Sequence, residues 1–93
     1  MEDKVRAHVI INGRVQGVFF RLETQRAAGN CEVSGWVRNK RDGTVEAVFE
    51  GQKARVDEIL EWCRQGSPGA VVDHIDLEWE KYTGEYPGFE ITY

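Results

Sequence analysis

The stretch Gly13-Arg14-Val15-Gln16-Gly17-Val18-Phe19-Phe20-Arg21 has the residue types of an anion cradle. Glycines let successive amides turn inward, and such a nest of N–H groups binds an oxyanion. A helix opening at Phe20 adds unpaired donors and the positive end of its dipole. Arg21 then falls in the first turn. Its guanidinium can grip two phosphate oxygens together, which a lysine ammonium cannot. Asn39 is the second residue of interest. An asparagine is no general base near neutral pH, but its amide can fix a water by hydrogen bonds.

Spacing brings the two together. About 11 helical residues carry the chain roughly 16 Å away from the loop. About six strand residues bring it back by roughly 20 Å. Arg21 and Asn39 therefore flank the same end of the domain. Taken singly these signals are bland. A glycine loop is commonly just a connection, and an asparagine before a hairpin is ordinary turn chemistry. Their convergence points to an oxyanion site and does not name the substrate.

The elements that must hold these residues follow from periodicity. Residues 5–12 alternate through Val5, Ala7, Val9 and Ile11, the pattern of a half-buried strand. Residues 13–17 read as a tight loop. Phe20, Thr24, Ala27, Ala28 and Cys31 share one helical face. Val33 to Asn39 is a second strand, Asp42-Gly43 a hairpin turn, and Thr44 to Glu50 a third strand that Gly51 ends. Val56, Ile59, Leu60 and Cys63 stripe a second helix over residues 53–64. After the Gly66-Ser67-Pro68-Gly69 loop, Val71 to about Tyr82 alternates as a long strand, with Val71, Ile75, Leu77 and Trp79 on one face. Phe89, Ile91 and Tyr93 suggest a short last strand. The predicted fold is α+β: a ferredoxin-like βαββαβ two-layer sandwich, with two helices on one face of an antiparallel four- to five-stranded sheet.

Composition sets the limits. The chain has 93 residues, enough for one domain and not two. A net charge of −4 argues against a general nucleic-acid binder. No apolar run reaches the length of a membrane span, and the charged start has no signal-peptide pattern, so a cytoplasmic protein is expected. Two His and two Cys lie too far apart in sequence for a metal-ligand motif, so no metal is expected. The predicted layout puts Cys31 and Cys63 at opposite ends of the helical layer, on core-facing stripes. They are expected to be buried free thiols.

Residues 13–21 resemble the first signature of the acylphosphatase family. Gly35-Trp36-Val37-Arg38-Asn39, followed by Asp42-Gly43-Thr44-Val45-Glu46-Ala47 and Gly51, resembles the second. Thr24, Gln25, Ala28, Ser67-Pro68-Gly69-Ala70, Val72 and Phe89-Glu90-Ile91 also match, so the resemblance spans essentially the whole chain. It implies cleavage of carboxyl–phosphate anhydrides to a carboxylate and inorganic phosphate, with no cofactor, metal or covalent intermediate. It also implies roles. The loop amides of Arg14, Val15, Gln16, Gly17, Val18, Phe19 and Phe20 hold the phosphate. Arg21 binds it and offsets its charge, and Asn39 orients the attacking water. The implied partners are a small acyl phosphate and phosphate, with no nucleic acid or membrane, and a monomer is the default.

Two positions depart from the pattern. Lys40 follows Asn39 where many relatives carry a small hydroxyl residue, and Glu32 falls where relatives often have glycine at the helix end. His8 and His74 are read as surface residues, and Trp36 as packing on the sheet, away from Asn39. Gln16 is ambiguous: its backbone N–H is expected to serve the cradle, and its side chain only to brace the loop. The main alternative is a non-catalytic oxyanion-binding regulatory module on the same fold. An RNA-recognition module is rejected because the third strand presents acids where stacking aromatics are needed. A domain split from a larger carbamoyl-transfer protein is disfavoured, since the sequence shows no second domain.

Overall fold

The computed structural model describes residues 3–93. Strand β1 (Lys4–Arg14) leads into helix α1 (Phe20–Cys31). Strands β2 (Ser34–Asn39) and β3 (Val45–Gln52) form a hairpin. Helix α2 (Lys53–Gln65), strand β4 (Val71–Glu80) and strand β5 (Phe89–Ile91) complete the chain. The sheet order is β4-β1-β3-β2-β5.

Alternation decides which face is covered. Ala7, Val9, Ile11, Val37, Val45, Ala47 and Phe49 are fully buried beneath the helices. They meet Phe20 and Ala28 of α1, and Val56, Ile59, Leu60 and Cys63 of α2. Burying each Val, Ile, Leu or Phe side chain here contributes about 1.5–3 kcal/mol, so this face carries most of the stability. Gly35 of β2 lies in this layer for a steric reason. A Cβ there would run into the carbonyl oxygen of Val48 on the neighbouring strand.

Four features differ from expectation. First, the sheet is mixed: β5 pairs parallel to β2, with Gly35 opposite Phe89. The chain leaves β4 at the far end of the sheet, and residues 81–88 return it to that same end at the opposite edge. Second, β1 runs on through Gly13 and Arg14, which pair with Val72 and Val71 across a bulge. The bulge turns Val72 inward and leaves Val71 exposed, so Val71 does not share the face of Ile75 and Leu77. Third, Gly51 does not end β3, since it pairs with Val5 and the strand continues to Gln52. Fourth, Tyr93 lies beyond β5 and is almost wholly exposed.

The second face of the sheet is not bare, because residues 81–88 run over it. The buried Glu50 carboxylate accepts from the Thr83 amide (2.9 Å), the Thr83 hydroxyl (2.9 Å), the Gly84 amide (3.0 Å) and Arg6 (3.2 Å). Burial pushes its pKa up, but these donors outweigh that and hold it below the usual carboxylate value. Tyr86 closes the strap, accepting from Arg6 (3.1 Å) and from the Trp36 indole (3.3 Å). Trp36 is thus on the face away from Asn39, as expected, with Arg38 over its ring.

Both cysteines are free. Cys63 is buried, and that burial raises its thiol pKa, with the Cys31 thiol adding to the rise. Cys31 is only half-buried and lies beside Glu58 in the middle of α2. The helices therefore bring the thiols nearer than the opposite ends anticipated from sequence.

Helix α1 closes on Glu32, at φ 57° and ψ 42°, whose amide donates to Gly29. A left-handed backbone on a residue with a Cβ costs about 1–2 kcal/mol. The exposed Glu32–Arg55 pair at 3.9 Å returns little of it. Glu32→Gly is expected to raise stability by about 0.5–1 kcal/mol after the extra entropy of glycine in the unfolded chain. The check is a higher denaturant midpoint at unchanged slope, and a lower midpoint would refute it.

Candidate active site

The end of the sheet where β1 stops and α1 starts carries a cavity of about 300 Å³. Its walls are Val15, Gly17, Phe19, Phe20, Arg21 and Leu22 from the β1–α1 segment, Asn39 from the end of β2, and Ile91 and Tyr93 from the β5 region. Arg21 and Asn39 thus meet at one cavity. Arg14, Gln16 and Val18 are not on its wall.

The loop is pinned at each stage. Val15 and Phe20 are buried anchors at its two ends, and Phe20 packs on Trp62 with ring centroids 5.5 Å apart. In the middle, the Ser67 hydroxyl donates to the Val18 carbonyl at 2.7 Å. On the hairpin side, the Gln16 amide donates to the carbonyls of Lys40 (2.7 Å) and Thr44 (2.9 Å). Gln16 is therefore a brace, tying the loop to the hairpin that carries Asn39. With the carbonyl of Val18 turned to Ser67, the loop's amides are free for other acceptors. Among the described residues no backbone carbonyl accepts from residues 16–20.

Backbone angles fit a cradle. Gly17 has φ +74°, and Phe19, the residue capping α1, is left-handed at φ 59° and ψ 26°. An aromatic residue held in this region is strained by about 1–3 kcal/mol, and such strain persists only where the surroundings impose it. Phe19 makes no side-chain cap, so the first-turn amides of α1 stay open toward the cavity end.

The two polar side chains differ in how they are held. The Arg21 guanidinium lies over the Tyr93 ring, 5.3 Å from its centroid, a cation–π contact that orients it and leaves its N–H groups for an anion. Asn39 Oδ1 is a buried acceptor with no donor among the described residues. Such an orphan costs about 1–3 kcal/mol, which a bound water or ligand offsets. No Asp, Glu or His side chain lines the cavity.

A second polar group lies on the other face. His8, Glu78 and Glu80 bring ligand-type atoms within 4.8 Å of one another, an arrangement made by strand pairing and invisible in linear spacing. Two of its three members are already engaged, since His8 pairs with Glu46 at 2.7 Å and Glu80 accepts from Arg6 at 2.8 Å, while Glu78 is exposed. His8 is half-buried, while His74 is exposed as expected.

Sequence reasoning missed what Ser67 does, although it matched a motif there. A serine between a glycine and a proline gives no sign of which distant carbonyl it will reach.

The cradle, the guanidinium and the orphaned amide sit in a chain with close relatives. The family model described as Acylphosphatase matches residues 7–91. An acylphosphatase of Synechococcus sp. (strain JA-2-3B'a(2-13)) is 57% identical over 91 residues, spanning 98% of this chain and 96% of that one. One from Pelotomaculum thermopropionicum is 50% identical over 90 residues, spanning 97% and 98%. The crystal structure of acylphosphatase from Bacillus subtilis superposes with a TM-score of 0.92 at 34% identity, over 96% of this chain and 99% of that one. A match this long, at this identity and with this fold, leaves one conclusion: the chain belongs to the acylphosphatase family.

Proposed function

We propose that the protein hydrolyses the carboxyl–phosphate bond of small acyl phosphates, giving a carboxylate and inorganic phosphate. Arg21 and the amides of the loop residues on the cavity wall, Val15, Gly17, Phe19 and Phe20, hold the phosphate, and Asn39 orients the attacking water. The observation that carries these assignments is the buried, unsatisfied Asn39 Oδ1 on the wall it shares with Arg21. A water there donates one hydrogen to that oxygen and keeps a lone pair for phosphorus.

The chemistry asks for little more. The leaving group is a weakly basic carboxylate, so acid catalysis is dispensable. Phosphoryl transfer needs positioning and stabilisation of spreading charge. The new O–P bond forms as the bond to the acyl oxygen breaks, and the electron pair leaves with the carboxylate. With no Asp, Glu or His side chain on the cavity wall, the water's proton passes to a phosphate oxygen of the substrate.

The same reading makes this a metal-independent, single-domain monomer of the cytoplasm. Two free thiols suit a reducing compartment. No helix of the described residues is long and apolar enough to cross a membrane.

The test is benzoyl phosphate hydrolysis by purified protein in excess chelator. Equal rates with and without chelator are expected. Activity lost to chelator and restored by a divalent cation would overturn the metal-free mechanism. Well-folded protein without activity would favour the oxyanion-binding module.

A further inference from the structure

A second cavity, of about 570 Å³, adjoins the first. It is lined by Arg38, Asn39, Lys40, Arg41, Asp42 and Tyr93, and so shares Asn39 and Tyr93 with the phosphate cavity. A group attached to a phosphate at Arg21 that extends past these two residues enters it.

Its charges are unevenly committed. Arg38 donates to Glu46 at 2.6 Å and is neutralised by it. Burial raises the Glu46 pKa, but hydrogen bonds from His8 and Arg38 outweigh that and keep it ionised. Asp42 Oδ1 accepts from the Thr44 amide (3.0 Å) and hydroxyl (2.6 Å). Neither the Lys40 ammonium nor the Arg41 guanidinium is in an ion pair among the described residues. The chain has 16 acidic residues against 12 basic ones, yet with Arg38 offset by Glu46 this cavity sets both Lys40 and Arg41 against the one carboxylate of Asp42, which Thr44 and, to a lesser extent, the Lys40 charge hold ionised. In a net-negative molecule such a local reversal of sign attracts anions to one place.

We propose that this cavity is the acyl-group subsite, and that Lys40 and Arg41 select acyl phosphates whose acyl group carries a second anionic group. The proposal rests on the phosphate-site reading above and adds a substrate class to it. A carboxylate or a phosphate-type anion supplies the same chemistry at the far end of the acyl chain. Lys40 contributes to the cradle only through its carbonyl, which accepts from Gln16, so its side chain is free to vary without disturbing the brace.

The experiment compares succinyl phosphate, its near-isosteric methyl ester and 3-phosphonopropionyl phosphate as substrates of wild type and a Lys40→Gln/Arg41→Gln double variant. In parallel, the binding of succinyl phosphonate and its methyl ester is measured by calorimetry. Wild type is expected to show a KM about fivefold lower for succinyl phosphate than for the ester, the scale of exposed ion pairs. The double variant erases that difference and leaves ester kinetics unchanged. Preference for the phosphonopropionyl substrate alone assigns the subsite to a phosphate-type anion. Equal KM values in wild type, or a variant that slows both substrates alike, overturn the subsite and leave the hydrolase reading intact. Preferential binding of succinyl phosphonate without turnover of any substrate keeps the subsite and overturns the hydrolase. Neither turnover nor preference overturns both.

Discussion

Arg21→Ala is expected to lower kcat/KM for benzoyl phosphate by about 10³- to 10⁵-fold, the range for an arginine that stabilises a transferring phosphoryl group, and to abolish inhibition by inorganic phosphate. The reason is local. Arg21 is the cation on the cavity wall, and among the described residues its guanidinium lies over the Tyr93 ring and makes no hydrogen bond or ion pair. No other wall residue replaces its two-pronged contact. Arg21→Lys keeps the charge but loses the planar fork, so it should recover part of the binding and little of the turnover. Folding should be unaffected, because Arg21 is half-exposed and outside the core. Kinetics, phosphate inhibition and a thermal melt on the same sample decide the matter. Unchanged phosphate affinity in Arg21→Ala would remove the residue from the site.

Asn39→Ala is expected to lower kcat by about 10²- to 10³-fold, the usual cost of removing one positioned polar group, while phosphate still binds. The asymmetry with Arg21 is the informative part. The orphaned Oδ1 is a place for a donor such as water, and deleting it removes an unsatisfied buried acceptor. Stability should therefore hold or rise slightly while turnover collapses. Equal loss of phosphate binding in both variants would show that Asn39 grips the anion and does not orient water.

Sequence periodicity located the helices almost to the residue, because each buries a stripe of residues recurring at helical spacing. Phe20 to Cys31 and Lys53 to Gln65 follow directly from where Phe20, Ala28, Val56 and Ile59 recur. The meeting of Arg21 and Asn39 was legible too, since helix and strand rises per residue are fixed. Other features have no local signature. The parallel β5 depends on where residues 81–88 travel, and that path is set by Glu50 and Tyr86 through contacts distant in sequence. The Gln16 brace and the Ser67 latch are likewise long-range hydrogen bonds made by residues common in any loop. The left-handed Glu32 was suspected only because a relative's glycine was expected there, and the side chain alone would not suggest it.

The crossing of residues 81–88 also bears on how the molecule comes to work. The phosphate cavity takes walls from the loop after β1 and from Ile91 and Tyr93, at opposite ends of the sequence. Pairings of such long sequence separation are the slow step of chain assembly. The cavity is therefore complete only once both ends of the chain have met across the sheet, and phosphate, binding only that finished site, favours the folded chain by mass action.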